Sequence, residues 1–359
     1  MLEELFRKDL ENFVSYKVEE NNCKVVLDSN ESFINIPKDF SNEMIKIFSD
    51  ISFNRYPDPF ARKVCQEYLN FLNREYFNLS ELTIENVIAG NGSDELIQII
   101  LSTFTKDGDR VIIPSPNFSM YSVYSELAGA KIIDFPSGGN FQVDVDSLIE
   151  KTNWEGAKIL FISNPNNPTG QVISPFDLVK ILENTNAIVV IDEAYGEFYG
   201  KTVLDKINKY ENLIVLKTCS KIGLAAIRLG FLITNNRLMK EIIKVKPPYN
   251  TNTVTQEIGA FMLSQEEVMH KSITNIINER SYLINELSKF ENLKVYPSMS
   301  NFILVEAEDG KKLYEKLIEV NVSVRAFKQE RLKNCLRITV GSRAENFWLI
   351  SHLKLILGK

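Results

Sequence analysis

From about residue 85 onward, short apolar runs alternate with stretches of helical periodicity. Residues 110–114 (Arg-Val-Ile-Ile-Pro), 131–135 and 157–163 read as short buried strands, as do 187–192, 213–217 and 229–233. Helical stretches separate several of them, as at 93–105 and 118–128. That rhythm predicts right-handed crossovers and a mostly parallel sheet covered on both faces. A long helical pattern follows at about 252–290, then strand-like 293–296 and 301–306, a helix at 309–319, strand-like 335–340 and a closing helix at 343–356. Fewer strands with helices on one side predict a smaller α+β lobe, so the fold class is α/β with a second lobe. Near the N-terminus, Leu2, Leu5, Phe6, Leu10 and Phe13 recur at helical spacing and suggest a short amphipathic arm.

The length, 359 residues, is more than one core usually holds and agrees with two domains. A composition of 44% hydrophobic and 25% charged residues excludes disorder, collagen and coiled coil as descriptions of the whole chain. The formal net charge of −6 argues against a general affinity for nucleic acid or anionic membrane. Four scattered cysteines (Cys23, Cys65, Cys219, Cys335) and two histidines (His270, His352) leave almost no material for a Cys/His metal site, and free thiols are expected. No signal-peptide pattern is visible and no window approaches 18 uncharged apolar residues, so a cytoplasmic protein is expected.

Four polar clusters fall where strands end, the place where open α/β sheets bind ligands. Gly90-Asn-Gly-Ser-Asp-Glu95 precedes a helical run, whose free N–H groups would suit an anion, although such turns also begin many helices that bind nothing. Ser163-Asn-Pro-Asn-Asn-Pro-Thr-Gly170 ends one strand and by itself reads as turn punctuation. Asp192-Glu-Ala-Tyr195 ends the most apolar strand, and a carboxylate there needs a cationic partner. Thr218-Cys-Ser-Lys221 ends another, with Arg228 downstream. The Gly-x-Gly-x-x-Gly and Walker A signatures of NAD and ATP enzymes are missing, as is a helix-turn-helix module for a DNA-binding regulator.

Together these segments resemble the fold-type I pyridoxal-phosphate aminotransferases. The segments Asn30-Glu31, Arg55-Tyr-Pro-Asp-Pro59, Pro247-Pro-Tyr-Asn250 and Cys335-Leu-Arg-Ile-Thr-Val-Gly341 are similar to the histidinol-phosphate aminotransferase branch. The resemblance implies pyridoxal 5'-phosphate as cofactor, bound through an imine to Lys221, which then works as general base and acid. Asp192 would keep the pyridine nitrogen protonated, Tyr195 and Asn167 would hydrogen-bond the ring oxygen, and Phe118 would stack on the ring or, on the plainer reading, fill the core. Backbone N–H groups of Ser93 and Asp94, the hydroxyls of Thr218 and Ser220, and Arg228 would cradle the phosphate. Tyr56 would reach the neighbouring subunit's cofactor in a homodimer.

On the substrate side, Arg337 and Arg325 would meet the substrate phosphate, Tyr16 would lie near it and Asn30 at the pocket mouth. Arg325 is otherwise a surface salt-bridging residue. The implied reaction carries the amino group of L-histidinol phosphate to 2-oxoglutarate in two half-reactions through a pyridoxamine form. A threonine O-phosphate decarboxylase or an aromatic aminotransferase would use the same core residues. The implied domains are an arm and a segment completing the small domain (1–35), a large cofactor domain (36–250), a long connecting helix (251–290) and a small α+β domain (291–359). The seven residues from Lys221 to Arg228 are one fewer than the family spacing, so the turn between them must be rebuilt. Ser15 before Tyr16, where proline is usual, and Ser32-Phe33 after Asn30-Glu31, where Asn-Pro is common, also depart from the family pattern.

Overall fold

The computed structural model describes residues 5, 6, 10, 22–76 and 79–358. Of the expected N-terminal arm only Leu5, Phe6 and Leu10 are among them, and Tyr16 lies outside the described residues.

Among the described residues twelve strands form two sheets. They are β1 (Val25–Leu27), β2 (Val87–Asn91), β3 (Arg110–Ser115), β4 (Lys131–Pro136), β5 (Ile159–Ser163) and β6 (Ile188–Asp192), followed by β7 (Leu213–Thr218), β8 (Leu229–Thr234), β9 (Leu293–Val295), β10 (Phe302–Ala307), β11 (Val322–Ala326) and β12 (Cys335–Thr339). The larger sheet has the order β2-β8-β7-β6-β5-β3-β4. Its strands run parallel except β8, which is antiparallel to both β2 and β7. The mostly parallel sheet is therefore present, with one reversed strand that alternation alone did not reveal. Its strands β7 and β8 are buried along their whole length and β6 at all but its first residue, which is why they read as unbroken apolar runs. The expected buried strand at 131–135 is instead the outermost strand β4, none of whose residues is fully buried, because an edge strand has a neighbour on one side only.

The smaller sheet has the order β1-β11-β12-β10-β9, with β1 parallel to β11 and the other pairs antiparallel. Neither β1 nor β11 was evident from pattern, since segments of 3 and 5 residues carry too few alternations. The helical pattern at 252–290 divides into helices Thr253–Ser264 and Glu266–Leu287. Gln265 leaves the helical region between them (φ −85°, ψ 71°), and Glu266 and Glu267 then occupy the favourable first turn of the second helix. Apolar clusters fill both faces of the large sheet, and a separate cluster lies under the small one. Among the described residues no helix is long and apolar enough to cross a membrane.

Candidate active site

The parallel strands of the large sheet deliver their C-terminal ends to one edge, and reversed β8 brings its N-terminal end there too. Register sets Ser163 beside Asp192, and Gly230 between Gly90 and Thr218. The four polar clusters of the sequence thus become neighbours.

Asp192 is only 3% exposed. Its Oδ2 accepts a hydrogen bond from the Tyr121 hydroxyl at 2.7 Å, and its Oδ1 accepts one from the Ala194 N–H at 3.0 Å. Burial pushes the carboxyl up to about 6, while both hydrogen bonds pull it back. Among the described residues no cation pairs with it. Lys221 closes the short turn Cys219–Lys221 after β7, its amine 5.9 Å from the centroid of the Tyr195 ring. Burial lowers it to about 8, with the Arg337 and Arg228 charges acting the same way and Glu31 and Asp94 opposing.

Tyr195 and Asn167 also reach the cluster. The Tyr195 hydroxyl accepts a hydrogen bond from Asn30 Nδ2 at 3.0 Å, and Asn167 Oδ1 accepts one from Arg337 Nη1 at 2.7 Å. Phe118 is partly buried, edge-on to Tyr121 with centroids 5.6 Å apart. Asn30 corrects an expectation: it is not at a pocket mouth but 1% exposed, held between Thr339 and Tyr195. The chain enters there through a left-handed residue (φ 53°), which asparagine tolerates, and this turns the side chain inward.

An anion cradle forms where helix Gly92–Phe104 follows β2 directly, with Ser93 and Asp94 in its first turn. Arg228 closes the other side, Nη2 lying 3.3 Å from Asp94 Oδ2 and Nη1 3.5 Å from Ser220 Oγ. The Thr218 hydroxyl lies 3.0 Å from Ser220 Oγ and accepts from the Ser220 N–H at 3.2 Å. A Cβ on Gly230 would stand 2.7 Å from the Gly92 carbonyl carbon, so only glycine lets β8 pass so close beneath the cradle. The short Lys221–Arg228 link is solved by two left-handed residues, Gly223 (φ 106°) and Arg228 itself (φ 53°). Behind the cradle, Glu95 accepts from the Asn91 N–H and from Asn250 Nδ2, both at 2.7 Å.

Arg325 and Arg337 stand directly opposite each other on β11 and β12, so their side chains share one face of the small sheet. Arg337 Nη2 also donates to the Asp28 carbonyl at 2.5 Å. Among the described residues no carboxylate forms an ion pair with Arg325. Tyr56 stands apart, 82% exposed and stacked on Tyr249 at 4.7 Å.

Sequence reasoning passed over Tyr121, inside the helical stretch 118–128, and Thr339, inside the quoted segment Cys335–Gly341. Tyr121 lies in the first turn of helix Met120–Leu127, three residues after Phe118, and Thr339 is two residues from Arg337 on the same face of β12. Glu193 was also passed over: it meets the fully buried Lys217 at 3.1 Å, and Lys217 in turn meets Glu197 at 3.2 Å and the Tyr76 hydroxyl at 2.9 Å.

These residues fit pyridoxal phosphate group by group. Asp192 is a buried carboxylate suited to a protonated ring nitrogen, and Lys221 is an amine brought near neutral titration. The helix start, two hydroxyls and Arg228 suit a dianionic phosphate.

The family model "Aminotransferase class I and II" matches residues 22–353. A histidinol-phosphate aminotransferase of Clostridium novyi (strain NT) is 46% identical over 99% of this chain and 98% of its own. One of Clostridium kluyveri is 47% identical over 99% and 100%. The crystal structure of histidinol-phosphate aminotransferase from Sinorhizobium meliloti in complex with pyridoxal-5'-phosphate superposes with a TM-score of 0.85 at 19% identity, covering 94% of this chain and 91% of that one. With nearly the whole chain matched by the family model and by these relatives, the protein belongs to the class I and II aminotransferase family.

Proposed function

We propose that this aminotransferase moves the amino group of L-histidinol phosphate to 2-oxoglutarate, giving imidazole acetol phosphate and glutamate in histidine biosynthesis. The observation that carries the substrate is the side-by-side placement of Arg325 and Arg337 on one sheet face. Two guanidinium forks suit a dianionic phosphate better than a lone carboxylate requires. Relatives at 46% and 47% identity bear the same name, and they favour this reading over a threonine O-phosphate decarboxylase or an aromatic aminotransferase.

Pyridoxal phosphate, when bound, supplies an electron sink and a temporary carrier for the amino group. Lys221 holds it and, as a free base, moves the proton at the substrate Cα; an amine titrating near 8 is available for that near neutral pH. Asp192 keeps the ring nitrogen protonated, and the Tyr121 hydrogen bond keeps the carboxylate aimed. Tyr195 and Asn167 bind the ring oxygen, and Phe118 packs on the ring face. The N–H groups of Ser93 and Asp94, with Thr218, Ser220 and Arg228, hold the cofactor phosphate. Arg337, Arg325 and Tyr16 receive the substrate phosphate. The exposed Tyr56 completes the neighbouring site in a cytoplasmic homodimer. The chain divides into an arm with a small-domain segment (1–35), a cofactor domain (36–250), a connecting helical segment (251–290) and a small domain (291–359).

The test is the visible absorbance of the cofactor-loaded enzyme before and after histidinol phosphate is added without any keto acid. Loss of the band is the expected result. A band that responds only to threonine phosphate with release of carbon dioxide, or only to an aromatic amino acid, keeps the family and refutes the substrate.

A further inference from the structure

We infer that Asn30 and Thr339 are positioning residues that oblige the Tyr195 hydroxyl to donate its proton into the site. This rests on the reading of Tyr195 as a ligand of the cofactor ring oxygen.

The inference follows from the direction of a buried hydrogen-bond chain. A backbone N–H can only donate, and that of Asn30 is 3.0 Å from Thr339 Oγ1. With one lone pair so occupied, the Thr339 hydroxyl hydrogen needs an acceptor, and Asn30 Oδ1 lies 3.2 Å away. A reversed Asn30 amide would leave that buried hydrogen without an acceptor among the described residues, a state proteins avoid. The Asn30 amide is thereby oriented with Nδ2 toward Tyr195 Oη, at 3.0 Å. An NH₂ group donates and does not accept, so the Tyr195 hydroxyl hydrogen points elsewhere, toward the site. Asn301 Nδ2 holds the Asn30 carbonyl at 2.9 Å and keeps the segment in place. Asn30, Thr339, Tyr195 and Asn301 are all at most 4% exposed, so water does not compete for these bonds.

The charged groups facing Tyr195 are Arg337, Asp192 and Lys221. Burial holds the Tyr195 hydroxyl above its ordinary range, so it stays protonated and able to donate. Thr339 shares a face of β12 with Arg337, two residues away, so the relay ties the strand that carries the substrate arginine to the cofactor side of the site.

With the cofactor bound, a hydrogen bond donated by Tyr195 to its ring oxygen would favour the charged form of that oxygen and would lower the pH at which the loaded Lys221 site titrates. The readout is therefore the pH midpoint of the visible band in the loaded enzyme, with thermal melting as a check on folding. Tyr195→Phe is expected to raise the midpoint by about one pH unit or more. Thr339→Val, or Thr339→Ala if valine disturbs β12, is expected to raise it by at least half as much. Thr339→Ser should keep the original midpoint, and Tyr195→Phe/Thr339→Val should shift no further than Tyr195→Phe alone. A midpoint that moves in Tyr195→Phe but not in the Thr339 variants overturns the relay alone. An unmoved midpoint in Tyr195→Phe overturns the placement of Tyr195 on the cofactor, and the relay with it.

Discussion

Lys221 and Asp192 are common ionisable residues held away from their usual titration ranges by burial, and this has a cost that can be measured. The Lys221 amine titrates at 10.5 in an unfolded chain and near 8 in the fold. Between those values the unfolded chain binds more protons, so stability rises with pH there, and the penalty is complete below 8. The difference corresponds to about 3 kcal/mol at most, and solvent reaching the partly buried amine reduces it. Lys221→Met is therefore expected to abolish turnover yet stabilise the cofactor-free protein by about 1–3 kcal/mol at pH 7. That gain should shrink toward zero as pH rises from 8 to 10.5, and melting curves at both ends of the window check it. A gain independent of pH would show that packing, not the buried charge, is responsible. Asp192 was legible because a charged side chain ending an apolar strand stands out, and Lys221 through the family resemblance of the Ser-Lys pair in the turn after β7. Asn30 was legible as a motif residue and misplaced, since its inward course depends on a left-handed turn and on Thr339, 309 residues away.

At the scale of elements, the anion cradle depends on β8 running against its neighbours. Only that reversal puts Arg228, at the N-terminal end of β8, beside the first turn of helix Gly92–Phe104. Gly230 allows the close approach, and a Cβ there meets the Gly92 and Ser93 backbone at 2.7–2.9 Å. Gly230→Ala is expected to push the cradle open and weaken cofactor binding by about tenfold or more, the equivalent of ~1.4 kcal/mol or more. Fluorescence titration of the cofactor-free protein checks it, and unchanged affinity would remove Gly230 from the account. Among the described residues the strands of this sheet other than β2 were legible, with ends shifted by one or two residues, because buried parallel strands are near-continuous apolar text; β2 (Val87–Asn91) was missed, its last residues reading as a glycine-rich turn. The reversal of β8 was not, because strand direction depends on which neighbour pairs and leaves no periodic trace. The buried Lys217, whose amine meets Glu193, Glu197 and Tyr76, shows the same limit: a lysine in an apolar strand reads as a strand end until its partners are brought to it.

For the whole molecule, the exposed Tyr56 is the residue whose proposed role calls for a second subunit. If two-fold dimers share sites, mixing inactive Lys221→Ala and Tyr56→Ala proteins produces mixed dimers in which one site has both intact residues. Random exchange makes half of the dimers mixed, so activity should return to about a quarter of the unmodified level. No recovery after verified subunit exchange would confine Tyr56 to its own chain.

The sequence by itself determined the α/β class, the succession of strand ends and the chemical groups offered at each one. These follow from periodicity and side-chain type, both of which are local. The tertiary structure alone decided that β1 and β11 complete the small sheet and that Arg325 faces Arg337. It also decided that Arg228 reaches the cradle across a shortened link and that Asn30 turns inward to Tyr195. Each of those depends on strand register or on a left-handed backbone residue, and register is set by pairing between distant segments rather than by the residues of either one.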